Sequence, residues 1–143
     1  MFIGEYTHTI DQKGRMAVPA KMRTQLGGGA VVTRGLDQCL WIFPKKEWQV
    51  LADKLASLPL TDANSRAFTR LMLAGAMEVE FDSQGRVLVP GYLRSYAGLD
   101  KNAIVAGLYN RLEVWDETKW NTYKTKTEKD TDKITQAMAD LGI

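Results

Sequence analysis

With 143 residues, 45% hydrophobic and 25% charged, the chain can bury a sizeable core, and its composition excludes a disordered or fibrous protein. A formal charge of only +2 excludes a globally basic coat for nucleic acid, and one cysteine (Cys39) with one histidine (His8) excludes an intrachain disulfide framework and the usual zinc spacings. No run reaches the ~20 apolar residues of a membrane-spanning helix, and Met1-Phe2-Ile3-Gly4-Glu5 lacks the basic segment and apolar stretch of a signal peptide, so a reducing cytoplasm is expected.

Tyr6-Thr7-His8-Thr9-Ile10 alternates, with Tyr6, His8 and Ile10 on one face, and predicts a half-buried strand. His8 is read as a packed histidine rather than a ligand. Asp11-Gln12-Lys13-Gly14-Arg15 follows as a tight connection: an Asp side chain can accept from backbone N–H groups two residues on, and Gly reaches positive φ at little cost. Asp11 and Gly14 are therefore turn-shaping. Met16-Ala17-Val18 is the return strand of a hairpin, and Pro19 suits the first position of a short helix, Ala20 to Leu26, that stops at Gly27. Gly27-Gly28-Gly29 has no following Lys-Ser/Thr and is no phosphate loop. Val31-Val32-Thr33 and Leu40-Trp41-Ile42-Phe43 predict a third and a fourth strand, with Cys39 an ordinary small buried residue. Trp48, Leu51, Leu55 and Leu58 recur at helical spacing between Pro44 and Pro59, and Thr61-Asp62 can cap a second helix carrying Phe68, Leu71, Met72 and Gly75.

The chain then repeats itself. Met77-Glu78-Val79-Glu80-Phe81 is a strand, Asp82-Ser83-Gln84-Gly85-Arg86 a turn shaped by Asp82 and Gly85, and Val87-Leu88-Val89-Pro90 leads into a helix from Gly91 to Ala97. Asp, Gly, Arg, Val and Pro all recur at an offset of 71, which becomes 72 beyond the helix, where Gly35-Leu36 matches Gly107-Leu108 and Trp48 matches Trp120. The expected organisation is a first repeat (1–48), a packed helical connector (49–75), a second repeat (76–120) and a polar, amphipathic tail helix (121–143) with Ile134, Met138 and Leu141 at helical spacing. The fold class is mainly β with short helices. A four-strand unit is too small to bury both faces, so the repeats are expected to exchange hairpins and close one barrel about a pseudo-twofold axis. Trp41, Phe43, Trp48, Trp115 and Trp120 fall at matching positions and read as packing residues.

Charge gathers at the repeated motif. Residues 11–23 hold Lys13, Arg15, Lys21 and Arg23 against Asp11, a local +3, whereas residues 82–94 hold Arg86 and Arg94 against Asp82, a local +1. Arg15 and Arg86 are the leading candidates for DNA contact, because a planar guanidinium matches phosphate, or the O6/N7 edge of guanine, in a bidentate way. The competing view has each Arg merely pair with its Asp to brace the turn, a weak reason to build an exposed pair twice. Lys13 is a candidate phosphate contact, and Lys21, Arg23 and Arg94 either widen the basic surface or cover apolar surface with their stems. The first hairpin, with its extra charge, is expected to supply more backbone attraction and the second to depend on Arg86. An enzyme pairing Asp11 with Asp82 as acid and base finds no third group to complete it. An oligomeric scaffold, in which the motif is only a turn and the helices recruit a protein, is the alternative from another class.

The doubled Asp-x-x-x-Arg with Val-Pro and a short helix, the start Met1-Phe2-Ile3-Gly4-Glu5-Tyr6 and the late Leu112-Glu113-Val114-Trp115-Asp116-Glu117-Thr118-Lys119-Trp120 resemble the MraZ family over nearly the whole chain. The resemblance implies two AbrB-type domains packed as a pseudo-dimer, and a bacterial transcriptional regulator located at the nucleoid. It implies a ring-like homo-oligomer on double-stranded DNA, binding short, G-containing direct repeats upstream of the division and cell-wall gene cluster, its own gene included. It places the family motif on Asp11 and Arg15, and on Asp82 and Arg86. Neither catalysis, cofactor, metal, membrane nor small-molecule substrate is expected.

Overall fold

The structure is a computed structural model that describes every residue, Met1–Ile143. The first repeat runs β1 (Glu5–Thr9), β2 (Arg15–Ala17), α1 (Ala20–Leu26), β3 (Ala30–Arg34), β4 (Leu40–Pro44), α2 (Lys45–Ala56) and α3 (Ala63–Thr69), which continues into a π-helical turn over Arg70–Ala74. The second runs β5 (Met77–Val79), β6 (Arg86–Leu88), α4 (Gly91–Ala97), β7 (Asn102–Gly107), β8 (Leu112–Asp116), α5 (Glu117–Lys129) and α6 (Thr131–Ala139). Sheet with short helices in two repeats is the architecture the sequence predicts.

The repeats are interleaved. One antiparallel sheet has the strand order β1-β7-β8-β4-β3-β5, and a separate two-stranded ribbon pairs β2 with β6. The order is palindromic: the first strand of each repeat lies on the third strand of the other, and the two fourth strands meet at the centre. Neither repeat closes a sheet by itself. The core follows the same rule. Met16, Val18, Met22, Leu40 and Ile42 share one buried cluster with their counterparts Val87, Val89, Leu93, Leu112 and Val114, all at most 2% exposed. Side chains of this size contribute about 1.5–3 kcal/mol each when fully buried, so the shared cluster outweighs any exposed ion pair in holding the repeats together.

Four local expectations are corrected. Tyr6, on the inward face in the alternation, is 40% exposed and His8 only half-buried, because β1 is an edge strand whose own inward face is covered only towards Ile10. Pro19 and Pro90 stand just before their helices rather than inside them, although their φ values of -51° and -56° still preset the entry. Helix α2 starts at Lys45, directly after Pro44, and α5 starts 72 residues later at Glu117, so the correspondence of the repeats continues into these helices. The single tail helix is two. Asp116 caps α5 by accepting from the Lys119 N–H at 3.2 Å. The run is broken at Asp130, where the Thr131 hydroxyl donates back to the carbonyls of Thr127 (3.3 Å) and Glu128 (2.7 Å). Glu5 pins α5 to β1, accepting from Trp120 Nε1 (3.0 Å) and Lys124 Nζ (2.9 Å). Residues 128–143 are exposed throughout.

Cys39 is completely buried beside Ile104 and Trp115, and its Sγ donates to the Leu36 carbonyl at 3.1 Å. Burial pushes its thiol up to about 12, so almost no thiolate exists at neutral pH. Native protein is expected to resist iodoacetamide at pH 8 and to be alkylated rapidly in denaturant; mass spectrometry on a time course checks this.

Candidate nucleic-acid interface

The two Asp-x-x-x-Arg turns are built alike by their own residues. The Asp11 carbonyl accepts from Gly14 N (2.9 Å), and Asp11 N donates to the Arg15 carbonyl (3.0 Å). Oδ1 of Asp11 accepts from the backbone N–H groups of Lys13 (3.0 Å) and Arg15 (2.9 Å), while Oδ2 accepts from Arg15 Nε at 2.7 Å. In the second turn Asp82 Oδ1 accepts from Gln84 N and Arg86 N, both at 2.9 Å, and Oδ2 accepts from Arg86 Nε at 2.8 Å. Gly14 and Gly85 close the turns at φ +89° and +75°, a backbone that side chains rarely adopt.

The competing views of the arginine thus describe two edges of one side chain. Nε braces the turn. The side chains that carry the Nη groups stay 36% (Arg15) and 28% (Arg86) exposed. The carboxylates are held below the usual range, chiefly because the Arg15 and Arg86 backbone N–H groups bond their charged forms. A depressed folded pKa stabilises the turn above the ordinary value of 3.8 and is lost as pH falls through the folded value. Hydrogen exchange at the Arg15 and Arg86 amides, corrected for intrinsic rates, is therefore expected to show protection that is flat above about pH 5 and declines below about pH 4. Protection unchanged to pH 2.5 would remove the carboxylates from the turn's support.

The turns are not two separate tips. Arg15 pairs in register with Leu88, Met16 with Val87 and Ala17 with Arg86, so β2 and β6 form one ribbon. Its inner face, Met16 and Val87, is buried at 0% and 1%. Its outer face presents Arg15 and Arg86 on the two strands, with Ala17 and Leu88 between them, Leu88 being 56% exposed. Nη1 of Arg86 also approaches Asp11 Oδ2 across the repeats, at 3.9 Å. Lys13 and Lys21 are exposed beside this face, on the first turn and on α1.

Arg23 and Arg94 are placed differently from the other basic candidates. Both are half-buried beneath the ribbon, Arg23 donating to the Val18 carbonyl at 2.9 Å and Arg94 lying against Gly14. Counting all six basic candidates against Asp11 and Asp82 leaves the region at +4. Leu88 is the residue that sequence reasoning passed over: it reads as one more apolar strand residue, and only the pairing with Arg15 turns it outward. Asp11 and Asp82 are linked through Arg86, which lies 2.8 Å from the Asp82 carboxylate and 3.9 Å from that of Asp11. A cleft of about 500 Å³ lies elsewhere, along α5 beside Asn121, Thr125 and Lys129. No group of three or more His, Cys, Asp or Glu side chains is placed to hold a metal, and no helix is long and apolar enough to cross a membrane.

The repeat also carries the comparison with known proteins. A family model described as "MraZ protein, putative antitoxin-like" matches residues 1–71 and again residues 72–142. The chain is 49% identical over 143 residues to the protein named Transcriptional regulator MraZ from Halothermothrix orenii, with all of both chains covered. It is 48% identical over 141 residues to the protein of the same name from Carboxydothermus hydrogenoformans (99% of each), and 46% identical over 143 residues to that from Natranaerobius thermophilus (all of each). These relatives are named as regulators and not as enzymes. Matched twice by the family model and nearly half identical to such relatives from end to end, the chain belongs to the MraZ family of transcriptional regulators.

Proposed function

We propose that the chain regulates transcription by binding double-stranded DNA in a sequence-specific way through the outer face of the β2–β6 ribbon. The observation that carries this reading is that Arg15 and Arg86, each braced to its own motif Asp through Nε, stand together on the outer face of one narrow two-stranded ribbon with their side chains partly exposed. A two-stranded ribbon fits the major groove, and a guanidinium reads guanine O6 and N7 in a bidentate way. Lys13 and Lys21 supply phosphate attraction beside it, and Leu88 offers an apolar contact of the kind that suits a thymine methyl. The expected sites are short, G-containing direct repeats upstream of the division and cell-wall gene cluster, the chain's own gene included, with repression as the outcome and the cytoplasm as the location.

One chain presents few basic groups, so useful affinity comes from several copies engaging repeated sites together. The exposed Ile134, Met138 and Leu141 of the tail support self-association into a ring-like oligomer. Genomic footprinting tests the proposal. Protection is expected to cluster on direct repeats, and the affinity for such a fragment to fall steeply between 50 and 200 mM salt, about 10²-fold or more if four to six phosphates are contacted in all. Uniform coverage of the genome, or affinity indifferent to salt, would sink it.

A further inference from the structure

Each turn has a shape of its own making but not an orientation of its own making. The hydrogen bonds that the Asp11 side chain accepts all close within residues 11–15, and those that the Asp82 side chain accepts within residues 82–86. Such a unit can tilt as a body on its two strands unless something outside it sets the angle. In both repeats that outside contact is an arginine from the other repeat. A Cβ placed on Gly14 would stand 2.6 Å from Cζ and 2.7 Å from Nε of Arg94. A Cβ placed on Gly85 would collide with Nη1 of Arg23. The backbone crosses over in the same sense: Val89 N donates to the Gly14 carbonyl at 2.9 Å, and Val18 N to the Gly85 carbonyl at 3.3 Å. Arg23 Nη1 adds a long bond to the Gly85 carbonyl at 3.5 Å, while Nε of Arg94 is buried against Gly14 with no partner.

We propose that Arg23 and Arg94 are positioning residues for DNA recognition, each setting the recognition turn of the opposite repeat: Arg94 props the Asp11–Arg15 turn, and Arg23 props the Asp82–Arg86 turn. The inference rests on the ribbon as the DNA-binding face. The residue types fit the task. A flat guanidinium slides beneath a turn only where that turn has no Cβ, which gives the glycines a role besides their positive φ. A lysine carries the same charge but no plate to lie under the turn. Each repeat's short helix thus holds the other repeat's arginine at its angle, and the two halves of the ribbon cannot be tuned independently.

The test uses the full chain with Arg94→Lys and Arg23→Lys, which keep the charge. In the DNA-free protein, Arg94→Lys is expected to shift the amide resonances of Lys13, Gly14 and Arg15 and to leave those of Gln84, Gly85 and Arg86 in place. Arg23→Lys is expected to do the reverse. On a duplex fragment from upstream of the chain's own gene, each substitution lowers affinity about tenfold, the scale of a recognition group held slightly off its angle. On an Arg15→Ala background the Arg94→Lys loss largely disappears, whereas on an Arg86→Ala background it persists. Shifts confined to the turn of the same repeat, or full affinity with lysine at both positions, overturn the proposal; the latter result makes the two arginines plain phosphate contacts. If Arg15→Ala and Arg86→Ala themselves leave affinity unchanged, the ribbon reading has failed, a result separable from failure of the props because the resonance arm needs no DNA.

Discussion

Replacing Arg15 and Arg86 together with alanine is expected to lower the affinity of the chain for its operator by about 30- to 10⁴-fold, since a good bidentate base contact is worth about 1–3 kcal/mol and two are lost. The fold survives, because neither side chain is buried and the turns keep their backbone hydrogen bonds to Asp11 and Asp82. The melting temperature is therefore expected to move by no more than a few degrees, as for ordinary surface substitutions. The pattern of loss across DNA sequences separates readout from mere attraction. Arg15→Lys and Arg86→Lys retain the charge but not the planar fork, so they keep non-specific binding while discrimination against a mutated repeat drops. Gel-shift titrations on wild-type and scrambled repeats at one fixed salt concentration measure both quantities. Wild-type affinity in the alanine pair would mean that the arginines serve only their turns, the scaffold reading of the motif.

The second large effect concerns the other face of the same ribbon. Met16 is completely buried opposite Val87, at the point where the two repeats close on one another. Met16→Ala is expected to cost about 2–5 kcal/mol, from lost transfer energy plus the cavity left behind. For a chain of this size that lowers the melting temperature by roughly 5–20 °C, readable by circular dichroism or calorimetry. Because Met16 belongs to a cluster shared by both repeats, unfolding is expected to remain a single transition. A shift under about 2 °C, or two separated transitions, would mean that the repeats hold their cores independently. Together the two experiments divide the ribbon: outward substitutions alter binding with little loss of stability, and inward ones do the opposite.

Much of this was legible in the residues. The period of 71, the Asp-Gly pair in each turn, and the strands before and after it all follow from local rules: an Asp side chain bonds backbone N–H groups just ahead of it, and glycine tolerates positive φ. The short helices Ala20–Leu26 and Gly91–Ala97 were legible to the residue, whereas the start of α2 and the break in the tail were less so. A polar stretch such as Thr125 to Asp132 breaks where the Thr131 hydroxyl, at the start of α6, turns back onto the last carbonyls of α5, which composition does not reveal. The places of Arg23 and Arg94 were not legible at all. A basic residue on a short helix looks the same in sequence whether it faces solvent or lies under a glycine 62 or 80 positions away.

By itself, then, the sequence determined the device: a turn made and held by its own five residues, used twice, with an arginine whose Nε is engaged at home. Those interactions span at most four positions, so no distant part of the chain is needed to produce them. Only the tertiary structure decided that the two devices form one ribbon with one outer face, that Leu88 belongs to that face, and that each turn rests on the other repeat. The physical reason is burial. A single repeat leaves its apolar strand faces uncovered, and they are covered by pairing β2 with β6 and by laying each first strand on the other repeat's third. Those pairings bring residues 45 to 101 positions apart into contact, and no local pattern records it.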